Sequence, residues 1–245
     1  GAIARRFSGK HTLLAALPLL AASLAAMLTA QTVTIFVAAM LVHGLVLGIT
    51  DLVMNAEGSA VESDMRRPVF TAFHGSVSLA LALFAILSSY LTALRGPGAA
   101  ALAACLMCAV AWIAVLANSP ARALQTKAER QAANVVTAPL ILMGLIVGLV
   151  IACETSAMYW SAKLLDETAP ALAAITGLGV AFYGMCNAAV RFPGDGLRAR
   201  FGDFNLMMAS SAVATIGFVC LGLSYSFAFG VFSFALVGLG TAIIS

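Results

Sequence analysis

The sequence predicts an all-α protein that threads a lipid bilayer several times. Three observations predict it: the composition, the lengths of the charge-free runs, and the sidedness of the basic residues. Of 245 residues, 62% are hydrophobic and 9% are charged, whereas ordinary soluble domains run near roughly 45–50% apolar and about 25% charged. A soluble globule of this size exposes too much surface to hide so much apolar side chain. That excludes a soluble enzyme, a nucleic-acid-binding module and a disordered chain. The net charge of +3 is small and dispersed, so it describes no surface for a polyanion.

Runs without Asp, Glu, Lys or Arg cover residues 11–50, 68–94, 96–121, 131–153, 168–190 and 204–245. A hydrocarbon core of about 30 Å takes about 20 residues of helix. The first and last runs, 40 and 42 residues long, therefore hold two helices each. They divide near Ala30-Gln31-Thr32 and Ser224-Tyr225-Ser226. Eight transmembrane helices result, over about 12–30, 33–57, 70–94, 98–118, 137–162, 168–190, 204–223 and 226–245. The ten-residue alternation of barrel strands is missing.

Alternating these spans puts eleven of the thirteen basic residues on one side: Arg5, Arg6, Lys10, Arg66, Arg67, Arg122, Lys127, Arg130, Arg191, Arg198 and Arg200. Only Arg95 and Lys163 fall on the other. The basic side is expected to be cytoplasmic. Residues 119–136 form the one long polar stretch, a cytoplasmic linker between halves 1–118 and 137–245 of four helices each. No secretory signal peptide is recognisable. A chain that opens with Gly1 in a basic loop and stops inside an apolar helix reads as a piece of a longer protein.

An offset of 194 residues brings Ile3 onto Leu197, Arg6 onto Arg200, Phe7 onto Phe201, and Gly44-Leu45 onto Gly238-Leu239. A basic loop thus recurs 38 residues before a glycine-bearing helix in both halves. Parallel repeats related by an axis along the membrane normal are a transporter signature, with the binding site near midplane between them.

The loop from Gly1 through Arg5, Arg6, Phe7, Ser8 and Gly9 to Lys10 resembles the G-x-x-x-D-R-x-G-x-[RK] loop of the major facilitator superfamily. The segment from Arg191 through Gly194, Asp195 and Arg200 to Gly202 is similar to the second copy of that loop. Two blocks resemble a bacterial branch of fucose-permease-like sugar transporters and largely uncharacterised inner-membrane relatives. One runs from Asp51 through Asn55, Glu57 and Gly58 to Glu62, followed by Phe73-His74-Gly75-Ser76; the other runs from Glu154 to Trp160, Ser161 and Ala162. The resemblance covers nearly all of the chain and implies a two-half bundle of which helices three to ten of twelve are present. Arg5 stands where the family has Asp, and Ser8 where it has Gly. The charge latch carried by that acid in the superfamily is then altered here, or supplied by Asp195.

Asp51, Asn55, Gly58 and Glu62 fall at i, i+4, i+7 and i+11 and share one helix face. An ionisable group inside a membrane helix costs about 2.5–3.5 kcal/mol on insertion scales and faces a cavity or a partner as a rule. Asp51 reads as a carboxylate for a proton or a sugar hydroxyl, with Asn55 as the amide beside it; the resemblance implies the same pair. Against this, Asp51 lies 18 residues beyond Val33, roughly 27 Å along the helix, where it can meet Arg66 or Arg67 at the headgroups. Glu57 and Glu62 read as interfacial. Glu154 follows 23 uncharged residues and precedes Trp160 by six, about 9 Å of helical rise. Low-dielectric surroundings disfavour a charged carboxylate, the property that proton coupling uses. A pair with Lys163 is the plainer role. Tyr159 and Trp160 read first as interfacial aromatics.

His74 is a candidate for substrate or proton relay, with helix packing as the equal alternative. His43 reads as a packing histidine, and Asn187, one turn from Tyr183, as a cavity-lining amide or a helix bridge. Cys105, Cys108, Cys153, Cys186 and Cys220 all lie inside spans and read as small packing residues. Gly44-x-x-x-Gly48 and Gly144-x-x-x-Gly148 mark sites where helices can approach closely.

Together these features point to a secondary active transporter of a bacterial inner membrane, not an enzyme. It would move a small polar solute, such as a sugar or related metabolite, by proton-coupled alternating access, working as a monomer at full length. Asp51, Asn55, His74, Glu154, Trp160 and Asn187 are the substrate and proton candidates. Arg6, Lys10, Arg191, Asp195 and Arg200 are the cytoplasmic gate, with topology alone as their plainer role. No cofactor, metal or nucleic acid is expected. A drug or metabolite exporter, an intramembrane enzyme and a non-transporting membrane protein are the alternatives; no span carries HExxH or a paired Asp motif.

Overall fold

A computed structural model describes residues 8–66, 69–118 and 137–243. Among them the chain is helical without strands, as the sequence predicts. The helices are α1 (Gly9–Leu28), α2 (Val33–Met65), α3 (Phe70–Arg95), α4 (Pro97–Asn118), α5 (Ala138–Thr168), α6 (Leu178–Arg191), α7 (Gly194–Phe201), α8 (Asp203–Gly222) and α9 (Phe227–Thr241). A 3-10 turn, Pro170–Ile175, separates α5 from α6. Six of the described helices, α1 to α5 and α8, are long and apolar enough to cross a membrane. Leu41, Leu45 and Leu149 are 68%, 69% and 67% exposed. In water so many bare leucines would cost about 25 cal/mol per Å², whereas hydrocarbon removes that cost. This is the build of a multi-pass membrane protein.

The two shorter segments have local causes. Residues 168–190 do not form one helix. Ala169 precedes Pro170 and is extended, with φ −153° and ψ 78°, because a proline ring disfavours the α region for the residue before it. The chain then re-enters a helix only at Leu178, so α6 has 14 residues. Helix α9, within the expected span 226–245, has 15. Helix α2 runs eight residues past the expected end at 57, through Glu57, Gly58, Glu62 and Asp64 to an Arg66 cap at φ 50°.

The chain forms two compact units. One comprises the described residues within 1–67 and 94–135, the other those within 68–93 and 136–245. Helix α3, which lies in the N-terminal half of the sequence, therefore packs in the second unit. In the first unit α1 packs on both α2 and α4. Its buried residues Gly9, Thr12, Leu13, Ala16 and Leu17 recur at helical spacing on one face. Trp112 Nε1 donates to the Leu14 carbonyl at 2.9 Å, and Ser23 Oγ lies 3.1 Å from His43 Nδ1. In the second unit α9 packs on α8, α6 and α5. Leu165, Tyr183, Phe234 and Val237 are its buried centre.

The offset of 194 returns in the helix bounds. Gly9–Leu28 plus 194 is Asp203–Gly222, and the start of α2 at Val33 becomes the start of α9 at Phe227. Both second helices open on a hydroxyl cap. Thr32 Oγ1 accepts from the Ile35 N–H at 3.3 Å, and Ser226 Oγ from the Phe229 N–H at 3.3 Å, each satisfying one free N–H of a helix start.

Candidate buried polar site

Helix α6 carries a polar row on the face it buries. Tyr183, Asn187 and Arg191 follow at four-residue intervals, so their side chains stand one turn apart on one side. Tyr183 is 4% exposed and Asn187 1%; Arg191 is half-buried. Around them, α5 brings Glu154, α9 brings Thr241 and α3 brings Ser78.

Glu154 is 7% exposed. The Tyr183 hydroxyl donates to its Oε1 at 2.8 Å and lies 3.3 Å from Thr241 Oγ1. Thr241 in turn donates to the Val237 carbonyl at 3.0 Å. One helical turn along, Ser78 Oγ is shared: it lies 2.8 Å from Asn187 Oδ1, 3.0 Å from the His74 carbonyl and 3.2 Å from Arg191 Nη1, which donates to it. Arg191 Nε donates to the Ala242 carbonyl at 3.1 Å. Arg191 and Glu154 also act on each other electrostatically. A buried carboxylate without a donor or countercharge costs several kcal/mol. Here the phenol supplies the donor. Asn187 Nδ2 is buried without a hydrogen-bond partner among the described residues.

Two close approaches hold this row together. A Cβ on Gly184 would fall 2.6 Å from the Ser78 carbonyl oxygen, and one on Gly238 would collide with the Tyr183 carbonyl. Only a residue without a side chain lets α3 and α9 lie so near α6. By contrast, a Cβ on Gly44, Gly48, Gly144 or Gly148 would meet nothing within 4 Å. The expectation that those two motifs are contacts is corrected: among the described residues they face open space, as small residues on an exposed helix side do.

The other sequence candidates lie apart from the row. Asp51 is exposed, and Asn55 Nδ2 donates to its Oδ2 at 3.2 Å, as the i, i+4 spacing allows. Asn55 Oδ1 is buried without a partner among the described residues. His74 is half-buried between the rings of Phe70 and Phe73, at centroid distances of 4.7 and 5.4 Å. Trp160 is 63% exposed and borders an apolar groove of about 510 Å³ with Cys153, Ser156, Phe218 and Phe234, not the Glu154 cluster. Lys163 pairs with Glu167 at 2.6 Å, so the expected alternative partner of Glu154 is engaged one turn away.

Of the gate residues, Asp195 Oδ1 accepts from Thr71 Oγ1 at 2.8 Å. Lys10 Nζ donates to the Leu116 carbonyl at 2.8 Å, and Arg200 lies over the Phe201 ring at 5.3 Å. Arg6 and the 119–136 linker lie outside the described residues. Cys105 and Cys108 border an apolar cavity of about 280 Å³ with Trp112, and no cluster of three metal-ligating residues occurs among the described residues.

The sequence singles out Glu154 and Asn187 but not Ser78 or Thr241, and it assigns Arg191 to the loop alone. The i, i+4, i+8 spacing of Tyr183, Asn187 and Arg191 is the signal that joins the arginine to the row. Comparison of the chain with protein-family models, with curated proteins and with solved structures returned no match.

Proposed function

We propose that the chain belongs to a secondary active transporter of the major facilitator type, seated in a bacterial inner membrane. It moves a small polar solute by proton-coupled alternating access between two helical halves. The observation that carries this reading is Glu154, a buried carboxylate held by a tyrosine hydroxyl, in a chain whose exterior is apolar. An intramembrane acid is expensive and marks a proton or substrate path as a rule. The recurrence of α1 and the start of α2 as α8 and the start of α9 supports the duplicated architecture that such transporters use. Asp51, with Asn55, is the second carboxylate of the proposal, one acid from each half.

The coupling needs differential binding. A proton on Glu154 shifts the inward–outward equilibrium only by as much as it binds one state better than the other. Protonation removes the carboxylate charge that acts on Arg191, so the row is held less firmly with the proton bound than without it. Arg6, Lys10, Arg191, Asp195 and Arg200 are the gate residues of this reading, with Asp195 held by Thr71. A second reading, export of an apolar metabolite, draws on the groove beside Trp160.

A thermal-shift panel on the full-length protein separates the two, because a ligand of the folded state raises its stability. Polar solutes should stabilise it under the first reading and apolar ones under the second. For the best stabiliser, Glu154→Gln and Asp51→Asn should each lower pH-gradient-driven uptake into proteoliposomes at least about tenfold, the rate effect of about 1.4 kcal/mol. Wild-type uptake by both variants across the pH step ends the proton-coupling assignment.

A further inference from the structure

We infer that Tyr183 and Thr241 form a hydroxyl relay that satisfies Glu154 in both of its protonation states, with Thr241 as the positioning residue that makes the protonated state affordable inside the bundle. The inference rests on the proposed role of Glu154, and it follows from donor and acceptor bookkeeping. An ionised carboxylate only accepts, whereas a protonated one must also donate. With Glu154 charged, the Tyr183 proton points at Oε1, 2.8 Å away. The Thr241 proton is directed to the Val237 carbonyl, 3.0 Å away, so its oxygen is left as an acceptor 3.3 Å from the phenol.

When Glu154 takes one proton from the aqueous side, its new O–H donates to the phenol oxygen. The phenol keeps its own proton and turns it from Glu154 to Thr241 Oγ1. No bond to hydrogen breaks in Tyr183, no tyrosinate forms, and the carboxyl, the phenol and the threonine hydroxyl each keep a hydrogen-bond partner. Without Thr241 the turned phenol would point its proton at nothing, a cost that buried donors rarely bear.

Among the described residues, the titratable groups that act on Glu154 are Tyr183 and Arg191 from α6. Helix α9 and the 3-10 turn contribute no titratable side chain, and Cys153 is its neighbour on α5. Arg191 favours the charged carboxylate in every variant below, so it does not imitate the expected pattern.

The test is an infrared pH titration of the protonated carboxyl band in the full-length protein in lipid, with Glu154→Gln identifying the band by its loss. Thr241→Val, or Thr241→Ala as a second deletion of the hydroxyl, should move the half-intensity point to the acid side by about half to one pH unit, the worth of one net hydrogen bond. Thr241→Ser should titrate with the wild type. Tyr183→Phe should move it the opposite way, because bonds to charged groups are the stronger ones and the carboxylate loses its donor.

Opposite signs at the two positions, with rescue by serine, support the relay. Shifts in the same direction, no shift for both threonine deletions, or an equal shift for serine overturn it. The band reports the relay without transport. Uptake that survives Glu154→Gln therefore defeats the coupling role alone, and a flat Thr241 series defeats the relay alone.

Discussion

Ser78 shows how much a single hydroxyl holds in this chain. It ties α3 to α6 through Asn187 and Arg191 while bonding its own helix at His74. Ser78→Ala removes the donor to a buried amide oxygen and one acceptor from a guanidinium. Leaving such groups short of a partner costs about 1–3 kcal/mol, so thermal unfolding of the full-length protein should fall by several degrees; an unchanged midpoint would mean that water replaces the hydroxyl. Sequence could not single this residue out. Serines and threonines in apolar helices bond the carbonyl four residues back, as Ser76 does with Ala72 and Ser233 with Phe229. Nothing in the letters separates those from Ser78 or Thr241. Glu154 was legible because a lone charge after 23 uncharged residues demands a partner wherever it lies. Which partner it takes depends on α6 and α9, far away in sequence.

At the scale of helices, glycines decide where two backbones meet, but spacing alone does not say which glycines. Gly44, Gly48, Gly144 and Gly148 match the small-xxx-small pattern and face open space, whereas Gly184 lies over the Ser78 carbonyl. The consequence is measurable as a contrast. Gly44→Ala should leave the unfolding temperature unchanged or raise it slightly, since alanine gains about 0.5–1 kcal/mol over glycine within a helix. Gly184→Ala should lower it, because its methyl would sit 2.6 Å from a backbone oxygen and overpacking costs about 1–3 kcal/mol. Equal effects at the two positions would show that α3 and α6 do not meet there. The break at Ala169–Gly177 was written in the sequence as Pro170, yet the absence of charge over 168–190 concealed it. Hydropathy measures burial in lipid and is indifferent to a turn whose side chains remain apolar. Ser89 of α3 secures that break, accepting from the Gly177 N–H at 3.1 Å and donating to the Ala174 carbonyl at 3.2 Å.

For the whole molecule, the 194-residue offset is clearer in helix bounds than in residue identities. Lipid accepts any apolar side chain, so an exposed face constrains hydropathy more than identity. Helix ends keep their positions because a cap must be polar and a span must have its length. The topology drawn from the basic residues can be checked on that frame without knowing the substrate. In a cysteine-free background of the full-length protein, Met65→Cys at the end of α2 and Lys127→Cys in the linker should react with a membrane-impermeant maleimide only from the cytoplasmic side. Lys163→Cys, in the last two turns of α5, should react only from the opposite side. Eleven basic residues on one side against two on the other make this orientation the expected one. Labelling of positions 65 and 163 from the same side would mean that an odd number of crossings does not separate them. The count of spans between α2 and α5, and with it the pairing of α1 and α2 with α8 and α9 as parallel repeats, would then fail together.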